Sequence, residues 1–245
     1  GHGDILAQND QVTRSSPVQI PGTTWSGSST DRSVGATSFY SASMSAVKTD
    51  GTLWVWGSNS KGALGLNDTE GVSSPIQIPG TDWKQTTNGY RFTAAVKTNG
   101  ELWSMGYGEY GAIANNLSGH PGARSSPIQI PGTTWKSVAA QGYSASGLKT
   151  DGTLWTWGLN EAGGLGQNNL TKYSSPVQIP GTTWKACHGG YGGISGVKTD
   201  GTLWGWGNGA FGQLAQNNQT QYSSPKQIPG TTLAACAMDV SAVAI

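Results

Sequence analysis

Apolar and polar positions alternate along residues 153–157, where Leu154 and Thr156 fall on one side and Trp155 and Trp157 on the other. A period of two marks a strand, because successive side chains point to opposite faces. The pattern LW-x-W-G at 154–158 returns as LWVWG at 53–57, LWSMG at 102–106 and LWGWG at 203–207. Each copy follows an apolar run and an Asp-Gly or Asn-Gly pair, which predicts a hairpin closed by a type I′ turn. In the clearest copy a strand of small residues at 137–140 leads through a Gly-Tyr loop to a second strand at 144–149. The third strand, 153–157, is followed by a Gly-rich loop ending GGLG at 163–166, and then by the polar stretch QNNLTKY. Last comes PVQIP, bracketed by Pro176 and Pro180. Proline has no N–H for a ladder, so this segment is expected at a sheet edge. Four short strands joined as hairpins make one propeller blade.

The unit repeats. Its closing signature, SSPVQIPGTTW at 15–25, recurs at 73–83, 125–135, 174–184 and 223–233, with final positions 58, 52, 49 and 49 residues apart. Self-similarity at such a period signals an array, solenoid or propeller. Full repeats are assigned to 26–83, 84–135, 136–184 and 185–233. Residues 1–25 read as the back half of a unit and 234–245 as the front half. Together they are expected to form a composite fifth blade, giving one domain over 1–245; a piece of a longer array is the alternative. The expected class is all-β, a five-bladed propeller of four-stranded antiparallel blades. The first repeat carries extra residues in SGSSTDRSV, and the second carries SGHPGA at 118–123, Met105 in place of Trp, and TNG in place of TDG. These departures are candidate recognition points or drift in tolerant loops.

The residues that set the pattern are Gly142, Leu148, Asp151 with Gly152, Leu154, Trp157 with Gly158, Gly163, Leu165 with Gly166, and Ser175 with Pro176. This pattern resembles the repeat of the regulator of chromosome condensation family along essentially the whole chain. The resemblance implies a β-propeller. It departs in lacking the family's usual His after Gly-x-x, where Ser144 and Thr93 stand nearby. The family's name-giving eukaryotic member has seven blades, and 245 residues are too few for seven.

Composition narrows the function classes. Glycine is abundant at 38 residues, yet eleven Trp in strict register argue for a packed fold rather than a low-complexity one. The net charge of +1 gives no electrostatic footprint for nucleic acid or an anionic membrane. No apolar run is long enough to span a bilayer as a helix. Cys187 and Cys236 occupy equivalent positions of successive units; they read as two small buried residues, with an inter-blade disulfide as the alternative. His2, His120 and His188 match no zinc spacing, and the adjacent Cys187 and His188 do not make one. No phosphate-binding loop or nucleophile elbow is present. No enzyme activity, cofactor or metal is expected. Asn-x-Ser/Thr sequons begin at Asn67, Asn116, Asn169 and Asn218, and repetition alone accounts for them.

The binding promise lies in aromatic loops. Tyr40, Tyr90, Tyr143 and Tyr191 recur between the first and second strands. Such loops gather on one face of a propeller, and Arg91 and Phe92 would extend a tyrosine ring there. The alternative is that each Tyr packs on its neighbouring blade. Tyr107, Tyr110 and Phe211, in the Gly-rich loops, form a second candidate surface. Exposed Tyr and Arg favour recognition. The expected role is a non-enzymatic binding or structural module for a protein or glycan, extracellular or on a virion surface, with assembly into a larger particle or array in view. The family resemblance implies the alternatives of a guanine-nucleotide exchange factor or a protein inhibitor.

Overall fold

A computed structural model of the chain describes residues 6–10, 12, 14–26, 43–117, 123–189 and 192–230, and the backbone of 34–35, 236–238 and 242–244. Among these residues, four antiparallel sheets of four strands follow one another. Blade one holds β1 (Val34–Gly35), β2 (Ser43–Val47), β3 (Leu53–Gly57) and β4 (Val72–Ile78). Blade two holds β5 (Trp83–Asn88), β6 (Phe92–Lys97), β7 (Leu102–Gly106) and β8 (Arg124–Ile130). Blade three holds β9 (Trp135–Gln141), β10 (Ser144–Lys149), β11 (Leu154–Gly158) and β12 (Tyr173–Ile179). Blade four holds β13 (Trp184–Gly189), β14 (Gly193–Lys198), β15 (Leu203–Gly207) and β16 (Tyr222–Ile228). A two-stranded sheet, β17 (Cys236–Met238) and β18 (Ala242–Ala244), lies next to β13 and β14. Among the described residues, no helix is long and apolar enough to cross a membrane.

Within each blade the strands pair in chain order, and the proline-bearing strand is the outer edge. That edge strand is longer than PVQIP, because it starts at Tyr173 and includes both serines before Pro176. The first strand is likewise longer than the small-residue core of 137–140.

The hairpin between the second and third strands departs from the expected type I′ turn. Gly51, Gly100, Gly152 and Gly201 have positive φ, whereas Asp50, Asn99, Asp151 and Asp200 do not. Gly152 N donates to Lys149 O at 3.1 Å and Lys149 N to Thr153 O at 2.9 Å. The loop is therefore a type I turn closed by a left-handed glycine, the three-residue hairpin. The acidic residue has another job. Asp151 Oδ1 accepts from the Thr153 amide at 2.9 Å and the Thr153 hydroxyl at 2.7 Å, and Trp155 Nε1 donates to Thr153 Oγ1 at 2.9 Å. These donors hold the Asp151 carboxyl below the usual carboxylate range, with the Thr153 hydroxyl first among them. A group whose pKa falls on folding favours the fold above its unfolded pKa, and that support disappears as pH drops through the folded value.

The lysine that opens the signature also has a fixed place. Lys149 Nζ lies 4.8 Å from the Trp135 ring and 4.2 Å from the Trp155 ring. Lys48, Lys97 and Lys198 stand over the matching tryptophan pairs. Cation–π contact and burial of the aliphatic stem explain why Lys recurs there.

Neighbouring blades are joined in two layers. The inner layer is the core. Trp157 Nε1 donates to Ala112 O at 2.9 Å, and Trp206 Nε1 to Gly164 O at 3.0 Å, each crossing to the preceding blade's Gly-rich loop. The outer layer is a clasp. Asn67 N donates to Ser125 O at 2.7 Å, Asn116 N to Ser174 O at 2.8 Å and Asn168 N to Ser223 O at 2.7 Å. Asn9 N makes the same bond to Ser73 O at 2.9 Å, so the N-terminal segment docks on blade one as each Gly-rich loop docks on the next blade. All four asparagines are left-handed, a conformation Asn tolerates better than most residues. The sequons therefore fall in two registers: Asn67 and Asn116 are clasp residues, whereas Asn169 follows the clasp residue Asn168 by one and Asn218 follows the left-handed Asn217 by one.

The residue that closes each Gly-rich loop is also left-handed. Gly65 and Gly166 suit it, but Ala7, Ala114 and Ala215 have φ of 56°, 54° and 52°. A Cβ there is strained. Ala215 is exposed, so Ala215→Gly removes strain without removing buried surface. It is expected to raise stability by about 0.5–1 kcal/mol after the added chain entropy of glycine, read as a higher urea midpoint at unchanged m-value.

Candidate functional site

Three tyrosines meet where blades two and three adjoin. Tyr90 and Arg91 form the turn between β5 and β6, and Gly142 and Tyr143 form the turn between β9 and β10. Tyr90 N donates to Gly142 O at 2.6 Å, tying the two turns together. The Tyr90 and Tyr143 rings lie 4.5 Å apart at 63°. Tyr110, from the Gly-rich loop of blade two, meets Tyr143 at 5.1 Å and 77°. The Gly-rich loops and the inner turns thus share one face, and the two candidate aromatic surfaces merge.

Tyr90 and Tyr143 are not equivalent residues, although both sit in Gly-Tyr loops. Counting from Trp83 and Trp135, Tyr90 takes the first turn position and Tyr143 the second, where blade two has Arg91. The backbone explains the offset. Arg91 has φ 60°, whereas in blade three Gly142 carries the positive φ, at 48°. The two side chains therefore leave their turns from different points and meet across the junction.

Cations flank the cluster. Arg91 lies 5.0 Å from the Tyr90 ring centre and Lys172 lies 4.9 Å from that of Tyr110. Tyr110 is itself left-handed, at φ 61°. Two non-glycine residues in this conformation beside one aromatic cluster is backbone strain of the sort that gathers at binding sites. Burial and then the Tyr90 hydroxyl push the Tyr143 phenol up to about 12. A hydrogen bond to Glu109 pushes Tyr107 up to about 12, and the Glu109 charge raises Tyr110. All three phenols are neutral near pH 7, so they act as hydrogen-bonding tips on apolar rings.

Phe92 leaves the candidate set. It is fully buried in the core of blades two and three, and a Cβ on Gly89 would overlap its ring. Met105 is likewise a packing residue, fully buried, and no recognition point. Tyr107 is mostly buried, with Lys61 Nζ 5.3 Å from its ring. Phe211 is 66% exposed. Tyr40 and Tyr191 lie outside the described residues, as do most of both insertion loops. Cys187 is buried against blade three; the side chain of Cys236 is outside the described residues. Cys187 and His188 are consecutive on β13 and so project to opposite faces of the strand. Among the described residues, no three His, Cys, Asp or Glu side chains cluster as metal ligands.

The regulator of chromosome condensation (RCC1) repeat model matches residues 50–96, 151–192 and 200–244, together more than half of the chain. No curated protein matches in sequence. Among solved structures, human WBSCR16 superposes with a TM-score of 0.78 at 19% identity, covering 97% of this chain and 63% of that one. Prp20p from Saccharomyces cerevisiae superposes with a TM-score of 0.68 at 17% identity, covering 77% of this chain and 49% of that one. The same yeast protein bound to Kap60 gives 0.70 at 17% identity, with 83% and 52% covered. This chain therefore spans about half to two thirds of the length of these structures. Its repeats, blade topology and family match agree that the chain belongs to the RCC1 repeat family.

Proposed function

We propose that the chain is a non-catalytic binding module that engages a partner protein through the face carrying Tyr90, Arg91, Tyr110 and Tyr143. The observation that carries this reading is the aromatic cluster itself. Three half-buried tyrosines from two blades are flanked by two cations and held on strained turns. Rigid aromatic anchors lose little entropy on binding, and Tyr and Arg dominate interface hot spots. A protein rather than a glycan is favoured by family analogy, since the structures of yeast Prp20p are described by its binding to Gsp1p and histones and by its complex with Kap60. The near-identity of successive repeats and the low charge density support an external location, extracellular or on a virion, and labelling of intact particles or cells tests that location.

The test compares immobilised wild-type chain, the Tyr90→Ala/Tyr143→Ala variant and the exposed control Lys185→Ala against a protein array and a glycan array. A protein ligand should be held by the wild type and the control, and held about thirtyfold more weakly by the tyrosine variant, the effect of losing a hot spot of about 2 kcal/mol. Equal retention by the tyrosine variant, or binding confined to glycans, would overturn the reading.

A further inference from the structure

The sequence holds five copies of the edge-strand signature Ser-Ser-Pro-x-Gln-Ile-Pro-Gly but four of the strand that pairs with it, Leu-Trp-x-Trp-Gly, with Met105 in one copy. The edge segment without such a strand, residues 15–22, is nevertheless built like the others. Gln8 Nε2 donates to Gln19 O at 2.8 Å and to Leu6 O at 3.1 Å, as Gln167 Nε2 does to Gln178 O at 3.2 Å and to Leu165 O at 3.3 Å. Ser74 Oγ donates to Asn9 Oδ1 at 3.1 Å, as Ser126 Oγ does to Asn67 Oδ1 at 2.9 Å. The segment thus continues the interface docked on blade one, where Ile20 packs against Ala7, Ala46 and Trp56.

What it lacks is a ladder. In blade three, Leu154 pairs with Ile179, Trp155 with Gln178 and Thr156 with Val177. Gln178 O is turned away from β11 towards Gln167. Bonded and unbonded pairs alternate in an antiparallel ladder, so the bonds to β11 fall at Val177 and Ile179. Their counterparts are Val18 and Ile20, and Gln19 O is turned to Gln8 in the same way. Among the described residues, 17–20 pair with no strand, and β18 pairs only with β17. The open side shows at the surface. Ser174, Ser175 and Pro176 are half-buried, whereas Ser15, Ser16 and Pro17 are exposed. Ile179 is fully buried in one cluster with Trp184 and Trp206 of blade four, whereas Ile20 stays half-buried although blade one is in place beside it. An unpaired sheet edge of this kind is a template for another strand. Pro17 does not blunt it, because it precedes both bonded positions.

We propose that this edge is a strand-acceptor site, filled by an extended segment of a partner chain that reads aliphatic-Trp-x-Trp-Gly and runs antiparallel to residues 18–20. The four blades define the occupant. Leu53, Leu102, Leu154 and Leu203 each pair with the isoleucine of the edge strand, so the partner's aliphatic residue lies opposite Ile20. The first Trp then stands opposite Gln19, as Trp155 does opposite Gln178. Position x, opposite Val18, is Val55, Ser104, Thr156 or Gly205 in the blades and so is unrestricted. The closing glycine has positive φ in all four. Each such strand of this chain is the third of its own blade and is paired on both sides. A second copy could lend one only by unfolding a blade, so the occupant belongs to a different protein.

The test titrates the full chain into a fluorescein-labelled peptide, Lys-Thr-Asp-Gly-Thr-Leu-Trp-Thr-Trp-Gly, the sequence of residues 149–158, and follows its anisotropy. Saturable binding is expected, with slowed amide exchange at Val18 and Ile20 and a higher melting temperature, since the peptide binds only the folded chain. A peptide N-methylated at its Leu and its last Thr keeps every side chain and loses the ladder donors that face Ile20 and Val18. It should bind at least about tenfold more weakly, as should a peptide with Leu and both Trp replaced by Ser. Val18→Pro should weaken the unmodified peptide by a similar factor and melt as the wild type does, because the N–H it removes has no ladder partner. No binding, equal binding of either altered peptide, or full binding by Val18→Pro would overturn the proposal. A dimer of the chain that the peptide dissolves would also overturn it, since a second copy would then hold the edge. If Val18→Pro does not fold, the methylated peptide decides. The Tyr90→Ala/Tyr143→Ala variant should take the peptide as the wild type does, so this site stands or falls apart from the tyrosine face.

Discussion

Trp157→Ala is expected to lower the unfolding free energy by about 3–5 kcal/mol, the cost of deleting a large buried aromatic side chain. Trp157 is fully buried and meets Trp135 with ring centres 6.0 Å apart at 68°. Gly147 makes room for that pair, since a Cβ there would lie 2.6 Å from Trp135 Cζ3 and 3.3 Å from Trp157 Cη2. The indole N–H also carries the bond to Ala112 O of the preceding blade. Substitution therefore opens a cavity and orphans a carbonyl at one junction. Trp157→Phe keeps most of the ring and loses the donor, so it should cost less, about 1–3 kcal/mol. Urea unfolding curves measure both. A loss from Trp157→Ala no larger than that from Trp157→Phe would show that packing at this junction contributes little.

Thr93→Ala should cost about 1–3 kcal/mol, far more than a methyl-sized change on a tolerant surface. In blade two the core tryptophan is replaced by Met105, which has no N–H to give. The carbonyl it would have served is Ala63 O, the equivalent of Ala112 O and Gly164 O. Thr93 Oγ1 donates to that carbonyl at 2.7 Å. Blade three has Ala145 at the Thr93 position and Trp157 at the Met105 position, so the two positions exchange the donor between them. Met105→Trp alone should overpack the site by about 1–3 kcal/mol. The double variant Thr93→Ala/Met105→Trp rebuilds the blade-three arrangement and should cost less than the sum of the single changes. Residues in contact couple in this way, and a double-mutant cycle reads the coupling. Additive effects would show that Thr93 is not the substitute donor.

Loss of Thr93 also breaks a chain that begins in blade one. Ser45 Oγ donates to Asn88 Oδ1, Asn88 Nδ2 to Thr93 Oγ1, and Thr93 to Ala63 O. The junction of blades one and two is therefore polar at its inner edge. At the next junction apolar side chains, Ala94 and Val138, take the equivalent places, and the polar link runs instead from Gln85 to the Val138 backbone. Near-identical blades thus differ mainly in how they meet.

The sequence by itself determined the blade. Strand alternation, the Asp-Gly punctuation and the prolines around PVQIP act over a few residues, and they suffice for four strands in chain order with the proline strand at the edge. The Gly-Tyr loops located the tyrosines for the same reason. Tertiary structure decided what those residues do. Whether Phe92 faces the core, whether Tyr90 and Tyr143 share a turn position, and whether Tyr110 joins them depend on which of two turn residues takes positive φ and on a neighbouring blade about fifty residues away. The same distance hid the Met105–Thr93 exchange. Hydrogen bonds and packing across a blade junction join residues far apart in the chain, so they leave no local period to read.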